Sequence, residues 1–281
     1  GDLKEEERTS RQLLSSGEAR LLQQTKNLQE SHNDNLSIPA FADGYWVMFD
    51  YNRGYADDLE ASGIMSLYRL PKYSYYFYQS QRDATQQSPS FDSGPMVHIA
   101  SEWTKNSSTN VRVFSNADEV ELWLNDKLIT RKKPNQDKFS THLPHPPFEF
   151  EIRKFKAGTL TAKAFINNRV VAKHHVTTPK SVEKIQITID ESGAPIATGV
   201  NDVVFAYASL LDEAGNPVPL NGEEIVFEST GDIEILNLSV AKTEQGKAAV
   251  LIRVGESLAN ASLKASMLSA EINSSLYHFN K

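Results

Sequence analysis

The chain has no cysteine among its 281 residues. That absence excludes disulfides, thiolate metal sites and a cysteine nucleophile together, and it is compatible with export without demonstrating it. Long apolar runs are missing too. None approaches the roughly 20 residues a membrane span requires, so no membrane partner is expected. Positive charge is short, with 29 Lys and Arg against 36 Asp and Glu and a net charge of −7. No basic stripe with interleaved aromatics is available to meet phosphates, which argues against nucleic acid as a partner. There is no phosphate-cradling glycine loop, no G-x-S-x-G elbow and no H-E-x-x-H pair. No cofactor is expected. No signal peptide stands at the start, and Gly1 in place of Met reads as a cleavage remnant or a scar.

What is present changes character twice along the chain. From about Glu5 to Glu30 the sequence is charged, rich in Leu and Gln, and free of Pro. Leu13, Leu14, Leu21, Leu22 and Leu28 recur at roughly helical spacing and predict one or two helices with a single apolar stripe. "SHNDNLSIP" is expected to break the helix. "GYWVMFDYNRGY" (44–55) then predicts a strand over Tyr45 to Tyr51, ending in aromatic, acidic and basic groups. "LPKYSYYFYQSQ" predicts a second helix entered at Pro71, with Leu70, Tyr73, Phe77 and Tyr76 toward one face. Beyond the polar linker "DATQQSPSFDSGP" the helical period disappears. Short alternating runs such as "VRVFS", "EVELWLN", "LTAKAFI" and "RVVAKHHV" predict a β-sandwich, and "KIQITID", "DVVFAYASLLD", "EIVFEST" and "KAAVLIRV" predict another. The second is about 100 residues long, which suits an immunoglobulin-like domain. The expected fold class is mainly β: two immunoglobulin-like β-sandwiches, at 94–178 and 182–281, preceded by a small helix-strand-helix segment at 1–82.

The residues also carry a resemblance. "GYWVMFDYNRGYADDLEASGIMSLYRLPKYSYYFYQSQRD" resembles the last strand and helix of the (β/α)8 barrel of glycoside hydrolase family 2, the family of β-galactosidases and β-glucuronidases. "VRVFSNADEVELWLNDKLI", with "HPPFEF" and "AGTLTAKAF", resembles the sandwich that follows the barrel. The part from Lys184 onward is similar to the C-terminal immunoglobulin-like domain. The resemblance implies that the first 82 residues are a remnant of the barrel. It also implies retaining hydrolysis of β-glycosides in the full enzyme, which requires a nucleophile and an acid/base carboxyl about 5 Å apart. A whole barrel takes about 250 residues. Both catalytic Glu are therefore expected upstream of Gly1, and this chain alone is expected to be inactive. The implied setting is the periplasm, surface or exterior of a bacterium, with the cytoplasm still open.

The resemblance gives four substrate-binding candidates. Trp46 matches a Trp that floors the sugar subsite, where an aromatic face stacks on a pyranose; the alternative is an ordinary buried strand Trp. Asp50, Asn52 and Arg53 would hydrogen-bond sugar hydroxyls; the alternative is that Asp50 and Arg53 brace the strand end and its loop. Asp57, Asp58 and Glu60 are too close in sequence to face one another across a substrate and suit a helix start better. His174 and His175 point to opposite faces of a strand, and His142 with His145 lacks a third ligand, so no metal is expected. Trp103, Trp123 and the tyrosines from Tyr73 to Tyr78 suggest either a carbohydrate-binding face or, as the resemblance favours, a packing surface. A carbohydrate is the expected ligand. The 45–51 strand needs a cover, from a homo-oligomer or from a missing barrel partner. The contrasting reading of the chain is a non-catalytic carbohydrate-binding or surface-attachment protein of immunoglobulin-like modules.

Overall fold

The computed structural model describes residues 11–55, 59–91 and 93–279. With 37% strand and 12% helix the protein is mainly β. It divides into two compact units that meet in sequence between Thr178 and Pro179.

The first unit opens with α1 (Glu18–Leu36). Leu21, Thr25, Leu28, Gln24, Gln29 and Asn33 are its buried residues, at the i, i+3, i+4 spacing of one helix face. Four of these six are polar, and each of the three amides has a tertiary hydrogen-bond partner. Gln24 Nε2 donates to Gly63 O at 3.3 Å, Gln29 Nε2 donates to Phe139 O at 3.0 Å, and Asn33 Oδ1 accepts the His142 N–H at 2.9 Å. The helix ends inside the expected breaking stretch "SHNDNLSIP", later in it than Asn33 and Asp34. It runs on to Leu36 because Asn33 finds a tertiary partner.

A short hairpin follows, β1 (Tyr51–Asn52) with β2 (Leu59–Glu60), and then α2 (Tyr73–Ser80). The expected strand over Tyr45 to Tyr51 is corrected. Only Tyr51 lies in a ladder, and Phe49 makes a single parallel bridge to Met65. Val47 O and Met48 O accept the N–H groups of Ile64 and Met65, at 3.2 and 3.0 Å. The segment therefore pairs with 64–65 on one side without becoming a regular strand.

The sandwich is built from β3 (Val97–Ala100), β4 (Asn110–Ser115), β5 (Glu119–Leu124), β6 (Lys127–Lys132), β7 (Phe148–Glu151), β8 (Thr159–Ile166) and β9 (Arg169–Thr177). One antiparallel sheet has the order β3-β4-β7 and the other β6-β5-β8-β9. Val97, Ile99, Val111, Val113, Phe148 and Phe150 of the first face Val120, Leu122, Leu124, Leu160, Ala162 and Ala164 of the second in one core. In β5 the alternation is complete, with Val120, Leu122 and Leu124 buried and Glu119, Glu121 and Trp123 outside. In β4 it fails, for every residue from Val111 to Ser115 is buried. The sandwich core lies on one face of that strand and the helices on the other, where Phe114 meets Phe77 edge-on at 6.0 Å.

The second unit carries β10 (Lys184–Asp190), β11 (Val203–Leu211), β12 (Glu224–Thr230), β13 (Ile233–Ile235), β14 (Val240–Lys242), β15 (Lys247–Val254), β16 (Ser262–Met267), β17 (Ile272–Asn273) and β18 (Tyr277–His278). Its sheets are β10-β11-β15-β13 and β14-β12-β16-β17, with β18 also on β16. Val204, Ala206, Ala208 and Leu210 of β11 pack with Ile225, Phe227, Val250, Ile252 and Leu263. Two antiparallel sheets around one core make this a β-sandwich.

Leu122 is fully buried in the first core, so Leu122→Ala is expected to cost about 3 kcal/mol, the transfer of a large side chain plus the cavity it leaves. Urea unfolding measures it. A loss below about 1 kcal/mol would mean the two sheets do not share that core.

Candidate functional site

The four residues singled out in the sequence lie within eight positions but divide into two kinds of environment. Trp46 is 70% exposed. Its indole Nε1–H donates to Tyr51 Oη at 3.2 Å, and the two rings stand perpendicular at 6.0 Å. Asn52 is exposed as well. In the same stretch of sequence Ile38, Phe41, Met48 and Tyr55 are exposed apolar or aromatic side chains. Tyr45 is held more closely. Its hydroxyl donates to Ser62 O at 2.5 Å, and burial, followed by the charges of Asp50 and Glu60, pushes its pKa up to about 12.

Asp50 is in the interior. Its side chain is 1% exposed and that of Lys72 is 0%. Lys72 Nζ donates to Asp50 Oδ1 at 2.7 Å, to Gln12 O at 2.6 Å and to Ala61 O at 3.3 Å. The same carboxylate oxygen accepts the Gly63 N–H at 2.9 Å. Gly63 must be glycine here, because a Cβ would lie 2.3 Å from Asp50 N and 2.5 Å from Phe49 C. Burial is the largest influence on the Asp50 carboxyl and raises its pKa; the Lys72 charge and hydrogen bond pull the other way. Arg53 also turns inward. It pairs with Glu60 at 2.8 Å, Arg11 pairs with the same Glu60 oxygen at 3.0 Å, and the Ser62 hydroxyl donates to the other. Asp50 and Arg53 thus brace the strand end and its loop, Asp50 through Oδ1 on Lys72 and Gly63 and Arg53 through Nη2 on Glu60.

The remaining candidates find ordinary structural places. Asp57 and Asp58 lie outside the described residues. Trp103 is fully buried, its Nε1–H donating to Lys156 O at 3.2 Å beside Phe155, so it belongs to the core and offers no sugar platform. Trp123 is half-buried, with Nε1–H on Glu121 at 2.9 Å and Lys163 Nζ 4.1 Å from its ring centre. His174 Nδ1 accepts the Ile99 N–H at 3.0 Å, while His175 faces the other way and bonds Thr161. Among the described residues no three His, Asp or Glu come together as metal ligands would.

Three residues that organise this region went unweighed in the sequence: Lys72, Gly63 and Tyr51. A lysine next to a proline reads as surface, and only the partners it meets in the fold mark it as buried. Chemically, the described part of the site offers an exposed indole and polar neighbours. Its carboxylates are already engaged: Asp43 by His32 and Asn35, Asp50 by Lys72, Glu60 by two arginines.

Residues 106–172 match the family described as "Domain of unknown function (DUF4982)". A β-galactosidase of Thermoanaerobacter pseudethanolicus is 31% identical over 225 residues, which is 74% of this chain and 29% of that protein. Among solved structures, a β-glycosidase from Bacteroides vulgatus superposes with a TM-score of 0.71 at 19% identity, over 89% of this chain and 32% of that one. A glycosyl hydrolase family 2 member from Bacteroides cellulosilyticus does so at 0.63 and 20% identity, over 89% and 36%. The chain is a homologue of the family 2 glycoside hydrolases, with β-galactosidases and β-glucuronidases as relatives over about 70% of its length, in keeping with the C-terminal region of such a protein. It spans less than a third of the length of the curated relatives it matches.

Because Lys72 and Asp50 are buried together, Lys72→Met leaves an uncompensated carboxylate and is expected to cost about 3–5 kcal/mol. Adding Asp50→Leu to it should restore a large part of that loss. Urea denaturation of both single variants and the double variant measures the coupling. Additive losses would show that the pair does not act as one unit.

Proposed function

We propose that this chain is the accessory C-terminal portion of a β-galactosidase-like glycoside hydrolase. In the whole enzyme the reaction is retaining hydrolysis of a β-glycoside. The chain's part is to present Trp46 as one wall of the sugar subsite and to carry the sandwiches that support it. The observation that carries this reading is the 70% exposure of Trp46 beside Asn52. An indole that merely filled a core would be covered, as Trp103 is. An aromatic face open to solvent is the surface a pyranose stacks on.

Catalysis itself is assigned elsewhere. Retaining hydrolysis takes two carboxyls about 5 Å apart across the scissile bond. Asp43, Asp50 and Glu60 are committed to cations or amides and are poor candidates for either role. The nucleophile and the acid/base belong to barrel strands outside this chain, and the chain alone does not turn over substrate. The exposed apolar side chains at Ile38, Phe41, Met48 and Tyr55 are the surface those strands cover. A carbohydrate is the ligand.

A panel of chromogenic β-glycosides incubated with this chain and with Trp46→Ala tests the assignment. No hydrolysis is expected from either. Turnover by the parent chain that disappears in Trp46→Ala would place a complete active site here and overturn the accessory role.

A further inference from the structure

We infer that the junction between α2 and the first sandwich is an acid-labile clasp, in which proton uptake by His98 and His174 releases the helix from the sheet. The inference does not depend on the glycosidase reading. It rests on where two of the chain's seven histidines lie.

His98 stands on the outer face of β3 and is stacked on Tyr76 of α2, with ring centres 3.5 Å apart and planes 7° from parallel. Tyr73, one turn earlier on α2, is 6.2 Å away. On its other flank the His174 ring of β9 lies at 4.5 Å. His174 is fixed as the tautomer that accepts at Nδ1, since that atom takes the Ile99 N–H at 3.0 Å. A proton on Nδ1 would oppose that donor. At the C-terminal end of α2, Gln81 closes the junction by donating to His145 O at 2.8 Å and accepting the His145 N–H at 3.4 Å.

The groups around this cluster do little to welcome a positive charge. From α1 comes Glu18, spent on the Glu102 N–H at 2.6 Å and the Ser107 hydroxyl at 2.7 Å. From β4 comes Arg112, paired with Glu149 of β7. From β9, His175 faces the opposite side, on Thr161. Glu18 and Glu102 act on Tyr73, whose pKa burial raises well above its usual value. On His98 the acting influences are burial and then His174, and both lower its pKa. Burial and then His175 bring His174 down to about 4. Burial also lowers His145, with Asp83 opposing.

The sign follows. Histidines depressed below 6.5 in the closed junction bind more protons once it opens, so closure is fully favoured above pH 6.5 and weakens as pH falls toward about 4. Local opening is enough, because helices can detach below the free energy of global unfolding.

Amide hydrogen exchange on the whole chain reads this out. Protection of the α2 amides, Tyr73–Ser80, is compared at pH 7 and pH 4.5, with β11 of the second unit as internal reference. The one histidine described in that unit, His278, is exposed. Protection factors in α2 are expected to fall by about 10-fold or more, tenfold for each pKa unit by which the closed junction holds a histidine down, while those in β11 change little. His174→Gln keeps an acceptor for Ile99 N–H, and His98→Phe keeps a ring for Tyr76. The double variant should lose most of the pH response, and His174→Gln alone should lose part of it. Equal loss in α2 and β11, or an unchanged α2 response in both variants, would overturn the clasp.

Discussion

The ammonium of Lys72 ties together three stretches of the first unit, at Gln12, Asp50 and Ala61. Three donors meet three acceptors that are far apart in sequence: Gln12 O, Ala61 O and the Asp50 carboxylate. A lysine loses much hydration when buried, and only such complete satisfaction makes its burial tolerable. Its position immediately before α2 makes it the point where the turn before α1, the 45–52 segment and the second helix converge. Asp50 then passes the constraint on through Gly63 N–H, and the 63–65 backbone aligns Val47 and Met48. Trp46 directly precedes Val47 and Met48 in the chain and remains exposed.

The same logic of covered faces explains why helices and sandwich form one unit. A sheet with one dry face can leave the other to water, and β5 does this by alternation. β4 does not. Phe114 and Arg112 stand on its outer face and need cover, which Phe77 and Gln29 supply. The helix layer is therefore fastened by aromatic contact, by amide hydrogen bonds from α1, and by the carboxylate of Glu18 on the 102–108 backbone. Most of these fastenings are polar. That is why the junction can respond to protons where an apolar core could not.

Much of the fold could be read from the sequence, for reasons that differ by element. The strands of both sandwiches are plain because period-two alternation is local: "EVELWLN" states its own inside and outside. α2 is plain through Leu70, Tyr73 and Phe77. The end of α1 falls later than Asn33 and Asp34 although Asn, Asp and His favour a break in isolation, and the contact that carries the helix on, Asn33 to the His142 backbone, spans more than a hundred residues. The strand at 45–51 was overdrawn because an aromatic, β-branched composition reads as strand whether or not a neighbour exists to pair with. The candidate site was legible as a location and less so in its roles. Trp46 and Asn52 are open, while Asp50 and Arg53 are engaged inside, and nothing in "FDYNRG" distinguishes a charge that faces solvent from one that faces a buried lysine.

That division bears on how a carbohydrate site can be built at all. Sugar recognition needs an aromatic plane and hydrogen-bonding groups held at fixed positions, and each polar group used for bracing is withdrawn from recognition. Here the bracing set is closed upon itself. Arg53, Arg11 and Ser62 saturate Glu60, and Lys72 and Gly63 saturate Asp50 on the oxygen they share. The part left facing outward is mainly aromatic and apolar, from Ile38 to Tyr55. A lone surface of that kind supplies stacking and contact area without directional selection among hydroxyls. On the proposed reading, discrimination between sugars comes from Asn52 and from polar groups contributed across the open side, with this segment setting the plane against which they act.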